Sequence, residues 1–383
     1  MKSLGRYYPE RYRISRPFSR QVTAVYRSYT GLDSLPSAEC FQAVSESIIN
    51  AYNNEIETLP FEKRPDNSLG VMMECSLAIY YAAFCVHGRQ IFHFNEEIAK
   101  QFRKTDVDEI NIGSLVFPYN TFYMNFGTQS DLMLAERAYV DGAYICAIGG
   151  KHLQIVLTTI RDDYNSERFN WIFKPEKYYY LPLSLSDPSQ SISVIADKAL
   201  QEDLAERKQD ALSQLPDNFE FQGIEISNRR PETLKVELKE VSDNYSIFRE
   251  ALRLVINGLC YLSAYREDID TRYPDDAPTE LLEKIKNPVR PKDIQSTISK
   301  LTSMGYSKIN YCGKEFERFT YDRVKGDVKS HWRRGHWRNQ SCGSGLSNRK
   351  LVWIMPVIVR KDKSESLKEF GHIYIIDNST NLT

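Results

Sequence analysis

His331-Trp332-Arg333-Arg334-Gly335-His336-Trp337-Arg338-Asn339-Gln340 decides how the C-terminal part of this chain is read. Its histidines are five apart, which matches neither the i+3 nor the i+4 spacing of a helix face. On a strand the same spacing alternates. His336 and Arg338 then point together with Arg334 beside them, and Trp337, Arg333 and His331 take the other face. Gly335 marks a bulge or allows close approach by a backbone or a ligand. The two histidines fall on opposite faces and no nearby Cys or acid completes a ligand set, so neither a metal nor another cofactor is expected.

The ten residues hold two of the six histidines, two of the four tryptophans and three arginines. From His331 to Arg360 there are six Lys or Arg and no Asp or Glu. Guanidinium groups grip phosphates, and planar rings offer stacking faces, so the first reading is a nucleic-acid surface, RNA above all. His336 would move a proton near neutral pH while Arg334 and Arg338 stabilise charge on a phosphorane, a metal-independent route to RNA cleavage. His331, Arg333 and Trp337 would add backbone and stacking contacts. Arg349 and Lys350 would return beyond a turn as further phosphate ligands, and Asn339 and Gln340 would read base edges. Two other readings stand beside this one: a surface that grips a protein without cleaving anything, and ordinary core packing of Trp and Arg.

The remaining composition narrows the field. Over 383 residues the formal net charge is only -1, so a polyanion site has to be local. Met1–Arg27 carries seven Lys or Arg against one acid, and Lys314–Lys350 carries ten against four. Seven cysteines without C-x-x-C spacing point to buried free thiols, Cys85 and Cys146 among them, and to a reducing cytoplasmic setting. The longest apolar run, Leu77–Val86, is too short to cross a bilayer, so no membrane partner is expected.

Along the chain, residues 1–36 read as an extended basic arm, broken by Pro9, Pro17 and Pro36, that folds on its partner. Ser37 caps a helix with Phe41, Val44, Ile48 and Tyr52 on one face. Leu69–Val86 is a buried helix or a helix followed by a strand. Asn95 opens a short helix with Ile98 and Phe102 inward. Thr121–Phe126, Tyr144–Ile148 and Leu153–Ile160 read as strands, with Asp141-Gly142 as a turn and Glu74 as a buried acid or salt-bridge partner. Tyr245–Tyr265 carries a broad apolar stripe, and Ile294–Leu301 forms one more helix. A polar segment from Glu267 to Asp293 reads as a boundary or surface loop. A turn at 343–347, then Leu351–Val359 and His372–Ile376, complete a small curled sheet. The expected fold is α+β, an antiparallel sheet with packed helices and a C-terminal strand-rich basic module. Its expected divisions are 1–36, 37–185, 186–305 and 306–383.

Two groups of motifs resemble a known family. Gln90-Ile91-Phe92-His93-Phe94-Asn95, Leu115-Val116-Phe117-Pro118-Tyr119-Asn120-Thr121-Phe122-Tyr123 and Asp141-Gly142-Ala143-Tyr144 form the first. Arg334-Gly335-His336-Trp337-Arg338 with Leu351-Val352-Trp353-Ile354 forms the second. Together they are similar to a family of plasmid- and phage-borne proteins that includes the second of the type V-A anti-CRISPR proteins, with Asn95 standing where that pattern has Asp. The anti-CRISPR member of that family is associated with lowering an effector nuclease's transcript by recognising its nascent chain, so the resemblance implies a mobile-element-encoded RNA-associated regulator or anti-CRISPR-like inhibitor, without carrying over the inhibited effector. Its partners would be RNA or a ribosome-associated nascent chain, or a CRISPR effector protein, with Arg334, His336 and Arg338 facing RNA. The alternative it leaves open is a non-enzymatic inhibitor that binds the effector or nascent peptide through protein contacts alone.

Overall fold

The computed structural model describes residues 6–29, 36–65, 68–135, 137–147, 151–162, 171–172, 178–212, 218–221, 224–227, 245–313, 330–333 and 335–360. It opens with four helices: α1 (Tyr8–Ser15), α2 (Ser19–Tyr29), α3 (Ala38–Glu57) and α4 (Ser68–Val86). The expectation of an extended N-terminal arm is corrected here. Pro9 lies in the first turn of α1, where its missing N–H costs nothing, and Pro17 separates α1 from α2 because the residue before a proline avoids helical backbone. Tyr7, Tyr8, Tyr12, Val22 and Tyr26 are fully buried, so the segment is part of the core. Ser37 caps α3 by accepting from the Cys40 N–H, and Val44, Ile48 and Tyr52 point inward as their spacing requires. α4 is apolar on nearly every side because α2 and α3 pack against it and the sheet lies beneath.

The sheet runs through the middle. Its strands are β1 (Ile91–Phe94), β3 (Thr121–Asn125), β4 (Met133–Ala135), β5 (Ala138–Cys146), β6 (His152–Arg161), β7 (Tyr178–Ser184), β10 (Asp270–Arg272) and β11 (Ile309–Cys312). The order is β10–β11–β1–β3–β5–β6–β7, with β4 paired to β5. β1 is parallel to both β3 and β11, so the sheet is mixed rather than purely antiparallel. β10 and β11 come from segments expected to be separate from it, and the Glu267–Asp293 stretch, read as a loop, supplies β10.

Helices cover both faces, and the central strands therefore alternate between two apolar cores. Phe122 and Met124 of β3 face α5 (Glu96–Arg103) and the helices α6 (Ile192–Leu212) and α7 (Tyr245–Ala264), while Tyr123 faces the N-terminal helices. Asn95 caps α5 by accepting from the Ile98 N–H, the role an Asp would fill equally well. α8 (Thr279–Lys286) and α9 (Pro291–Ser303) form a satellite with a small core of Ala277, Leu281, Leu301 and Tyr306. β8 (Asn218–Phe221) pairs with β9 (Ile224–Ser227).

Asp141 is not a turn residue. It occupies a bulge inside β5, between the pairs Val140–Thr159 and Gly142–Thr158. A Cβ at Gly142 would collide with the Tyr123 hydroxyl and the Met124 carbonyl oxygen, so glycine here permits strands β3 and β5 to approach.

The C-terminal module joins β2 (Thr105–Asp106), β13 (Gly335–Cys342) and β14 (Asn348–Ile354) into a three-stranded sheet ordered β14–β13–β2. A second ladder pairs β12 (Ser330–Arg333) with β15 (Val357–Arg360). The strand expected at His372–Ile376 lies outside the described residues. The fold is α+β with a strand-rich C-terminal region. Among the described residues no helix is long and apolar enough to cross a membrane.

Candidate functional site: an anchored basic hairpin

The motif divides by face, as the strand reading requires. Gly335 and Trp337 are buried, and His336 and Arg338 are exposed. Trp337 stacks on Trp353 of β14 with centroids 5.7 Å apart and planes 16° apart. Its indole N–H donates to Asn257 Oδ1 at 2.8 Å, and the Trp353 indole N–H donates to Thr105 Oγ1 at 3.0 Å. Asn257, buried in α7, donates in turn to the carbonyl oxygens of Phe102, Thr105 and Arg253. One asparagine thus ties α7, the end of α5, β2 and β13 together. Phe102 and Tyr261 close around Trp353, and the Tyr265 hydroxyl accepts its backbone N–H. Trp337, read from sequence as a stacking face for bases, has its ring committed to the interior.

Gly335 permits the close approach its position suggested. A Cβ there would lie 2.6 Å from Pro356 Cδ and 2.7 Å from Thr105 Oγ1, and its N–H donates to the Lys104 carbonyl oxygen at 3.0 Å. Asn257 and Thr105 carry no signature in the sequence. Their importance comes from polar atoms meeting two indoles from distant strands.

On the outward face, His336 lies between Asp106 of β2 and Ile354 of β14. Arg338 pairs with Val352 and Gln340 with Lys350, which places His336, Arg338, Gln340 and Lys350 on one side of the sheet. Asn339 and Arg349 lie on the tryptophan side, at the outer end where it leaves the core, and both are exposed. Lys350 therefore joins His336 and Arg338, whereas Arg349 does not. His336, Arg338, Asn339, Gln340, Arg349 and Lys350 make no side-chain hydrogen bond or ion pair with a described residue. Asp106 beside His336 is held below the usual carboxylate value. Burial pushes it up, but hydrogen bonds from Asp108 and the Arg253 charge outweigh that, while Asp108 is raised by burial and by Asp106. The strand backbone carries His331 opposite Val359 and Arg333 opposite Val357; Arg334 lies outside the described residues.

The other singled-out residues are struts. Glu74 accepts from Arg16 through both oxygens, at 3.1 and 3.0 Å, and Asp141 accepts from Arg11, Thr158 and Tyr123. All of these are buried. His93 Nδ1 pairs with Asn125 Oδ1 at 2.9 Å, and Nε2 faces the Arg6 guanidinium at 3.3 Å. Burial first and Arg6 second lower its pKa to about 4, so it is neutral. Cys85 and Cys146 are buried free thiols. Among the described residues no group of three or more His, Cys, Asp or Glu is placed to hold a metal ion.

The C-terminal module thus presents an anchored hairpin whose outward cations, Arg338 and Lys350, have no side-chain partner among the described residues. The chain belongs to the AcrVA2-like family, the anti-CRISPR type V subtype A2 family, whose pattern matches residues 92–361. Among solved structures it is similar to one described as the crystal structure of AcrVA2, at 13% sequence identity, with 91% of this chain and 95% of that chain covered and a TM-score of 0.40. No curated protein matches it.

Proposed function

We propose that this chain is a non-enzymatic anti-CRISPR inhibitor that acts by binding a protein, either a type V-A CRISPR effector or its nascent chain. The burial of Trp337 and Trp353 carries the reading. Trp337, the ring read as a stacking face for bases, is structural, and the outward side of the hairpin carries a polar, basic row of the kind that steers one protein onto another. His336 adds to the argument. A general base is ordinarily oriented by a second group, and this imidazole has no hydrogen-bond partner among the described residues.

RNA association, with metal-independent cleavage through His336, Arg338 and Arg334, is the second reading. The row of Arg338 and Lys350, with His336 at its end beside Asp106, favours it, since such cations fit phosphates as readily as carboxylates. Titrating purified chain with type V-A effector protein and with RNA, in parallel, separates the two. Saturable effector binding without RNA cleavage supports the inhibitor. Cleavage that resists chelator and disappears in His336→Ala overturns it.

A further inference from the structure

The loop closing the hairpin, residues 343–347, contains an unexplained cost. Gly343 and Gly345 take positive φ values of 79° and 64°, which glycine adopts freely. Leu346 follows at φ 58°, a conformation an L residue with a branched side chain rarely holds. That leucine is 67% exposed, so no core packing offsets the strain. It stands at the end opposite the anchors, beyond the last ladder pair of Cys342 with Asn348.

The stem that carries it is basic. Residues 335–354 contain Arg338, Arg349 and Lys350 and no acid. Lys350 lies on one face of the stem and Arg349 on the other, both exposed, so each face carries a cation within the three rungs nearest the loop. The root is anchored to the core by the tryptophan stack and its two indole hydrogen bonds. A strained apolar tip, a basic collar and a fixed root describe a preorganised contact.

We infer that the hairpin is a docking finger that inserts Leu346 into an apolar recess rimmed by carboxylates on an acidic protein segment. This rests on the reading that the chain acts by binding protein. An RNA partner fits the collar but not the tip. Phosphates offer a leucine nothing, and the hairpin exposes no Trp, Tyr or Phe ring on which a base would stack.

Fluorescence anisotropy with a labelled synthetic peptide alternating Glu with Leu and Phe tests the inference, beside poly-glutamate and single-stranded RNA of equal length. Leu346→Asn is the informative variant, because Asn tolerates the left-handed region. Its melting temperature should equal or exceed that of the parent, so unfolding cannot explain a loss of binding. The alternating peptide should bind more tightly than poly-glutamate or RNA. Leu346→Asn should weaken it by about tenfold or more, the order expected for one buried leucine. Reversing Arg349 and Lys350 to Glu should abolish it. Peptide binding unchanged in Leu346→Asn, or RNA binding more tightly than the peptide, overturns the finger. The same variant titrated with purified type V-A effector separates the two claims. Effector binding that ignores Leu346 overturns the finger and leaves the inhibitor reading standing. Finger-dependent peptide capture without effector binding does the reverse.

Discussion

Trp337 and His336 are neighbours in sequence, yet their removal should have opposite consequences. Trp337 is 3% exposed and packs face to face with Trp353. A buried tryptophan removes about 150–250 Å² from water, worth roughly 4–6 kcal/mol at about 25 cal/mol per Å². Truncation also leaves a cavity and deprives Asn257 Oδ1 of its indole donor. Trp337→Ala should therefore cost about 3–5 kcal/mol, the range seen for such truncations. Trp337→Phe keeps most of the ring but not the N–H, and should cost about 1–3 kcal/mol. His336→Ala and Arg338→Ala, exposed and without a side-chain partner among the described residues, should stay within about 0.5 kcal/mol of the parent. Urea denaturation followed by tryptophan fluorescence and circular dichroism reads all four. Equal, small shifts for Trp337→Ala and His336→Ala would refute the division of the motif into anchor and surface.

Other perturbations probe the frame that holds the hairpin. Arg11→Met should destabilise by about 3–5 kcal/mol in calorimetric melts, because the buried Asp141 carboxyl loses its guanidinium partner, whereas pairing Arg11→Met with Asp141→Asn should recover part of the loss. Gly335→Ala should lower the melting temperature by forcing β13 away from Pro356 and Thr105; a neutral effect would contradict the close approach. The folded-state pKa of His93, about 4, lies below the unfolded value near 6.5, so its contribution is complete above pH 6.5 and declines as pH falls toward 4. The decline amounts to roughly 3 kcal/mol, and denaturation midpoints of His93→Gln between those pH values should lose it.

Much of the scaffold was legible because it obeys local rules. Ser37 and Asn95 cap the helices they precede, and the stripe through Leu252, Val255, Ile256 and Leu259 is the buried face of α7. The alternation in His336-Trp337-Arg338 separated the two faces of β13 correctly. What it could not tell was which face enters the core, since a tryptophan serves a binding surface and an interior equally well. The N-terminal helices were illegible for a different reason. Their buried residues include Arg11 and Arg16, whose compatibility with a core depends on Asp141 and Glu74 far along the chain, and several tyrosines. The parallel pairing of β1 with β11 is equally non-local, joining Ile91 to Ile309. Asp141-Gly142 has the composition of a turn, and only the approach of Tyr123 explains why it forms a bulge instead.

The inhibitor reading is tested most directly by calorimetric titration of the purified chain with type V-A effector protein, using the parent and the Arg338→Glu, Lys350→Glu double variant. The account predicts saturable binding by the parent, marked weakening in the double variant, and unchanged stability of both. Absence of effector binding, alongside RNA cleavage that His336→Ala abolishes, would contradict it.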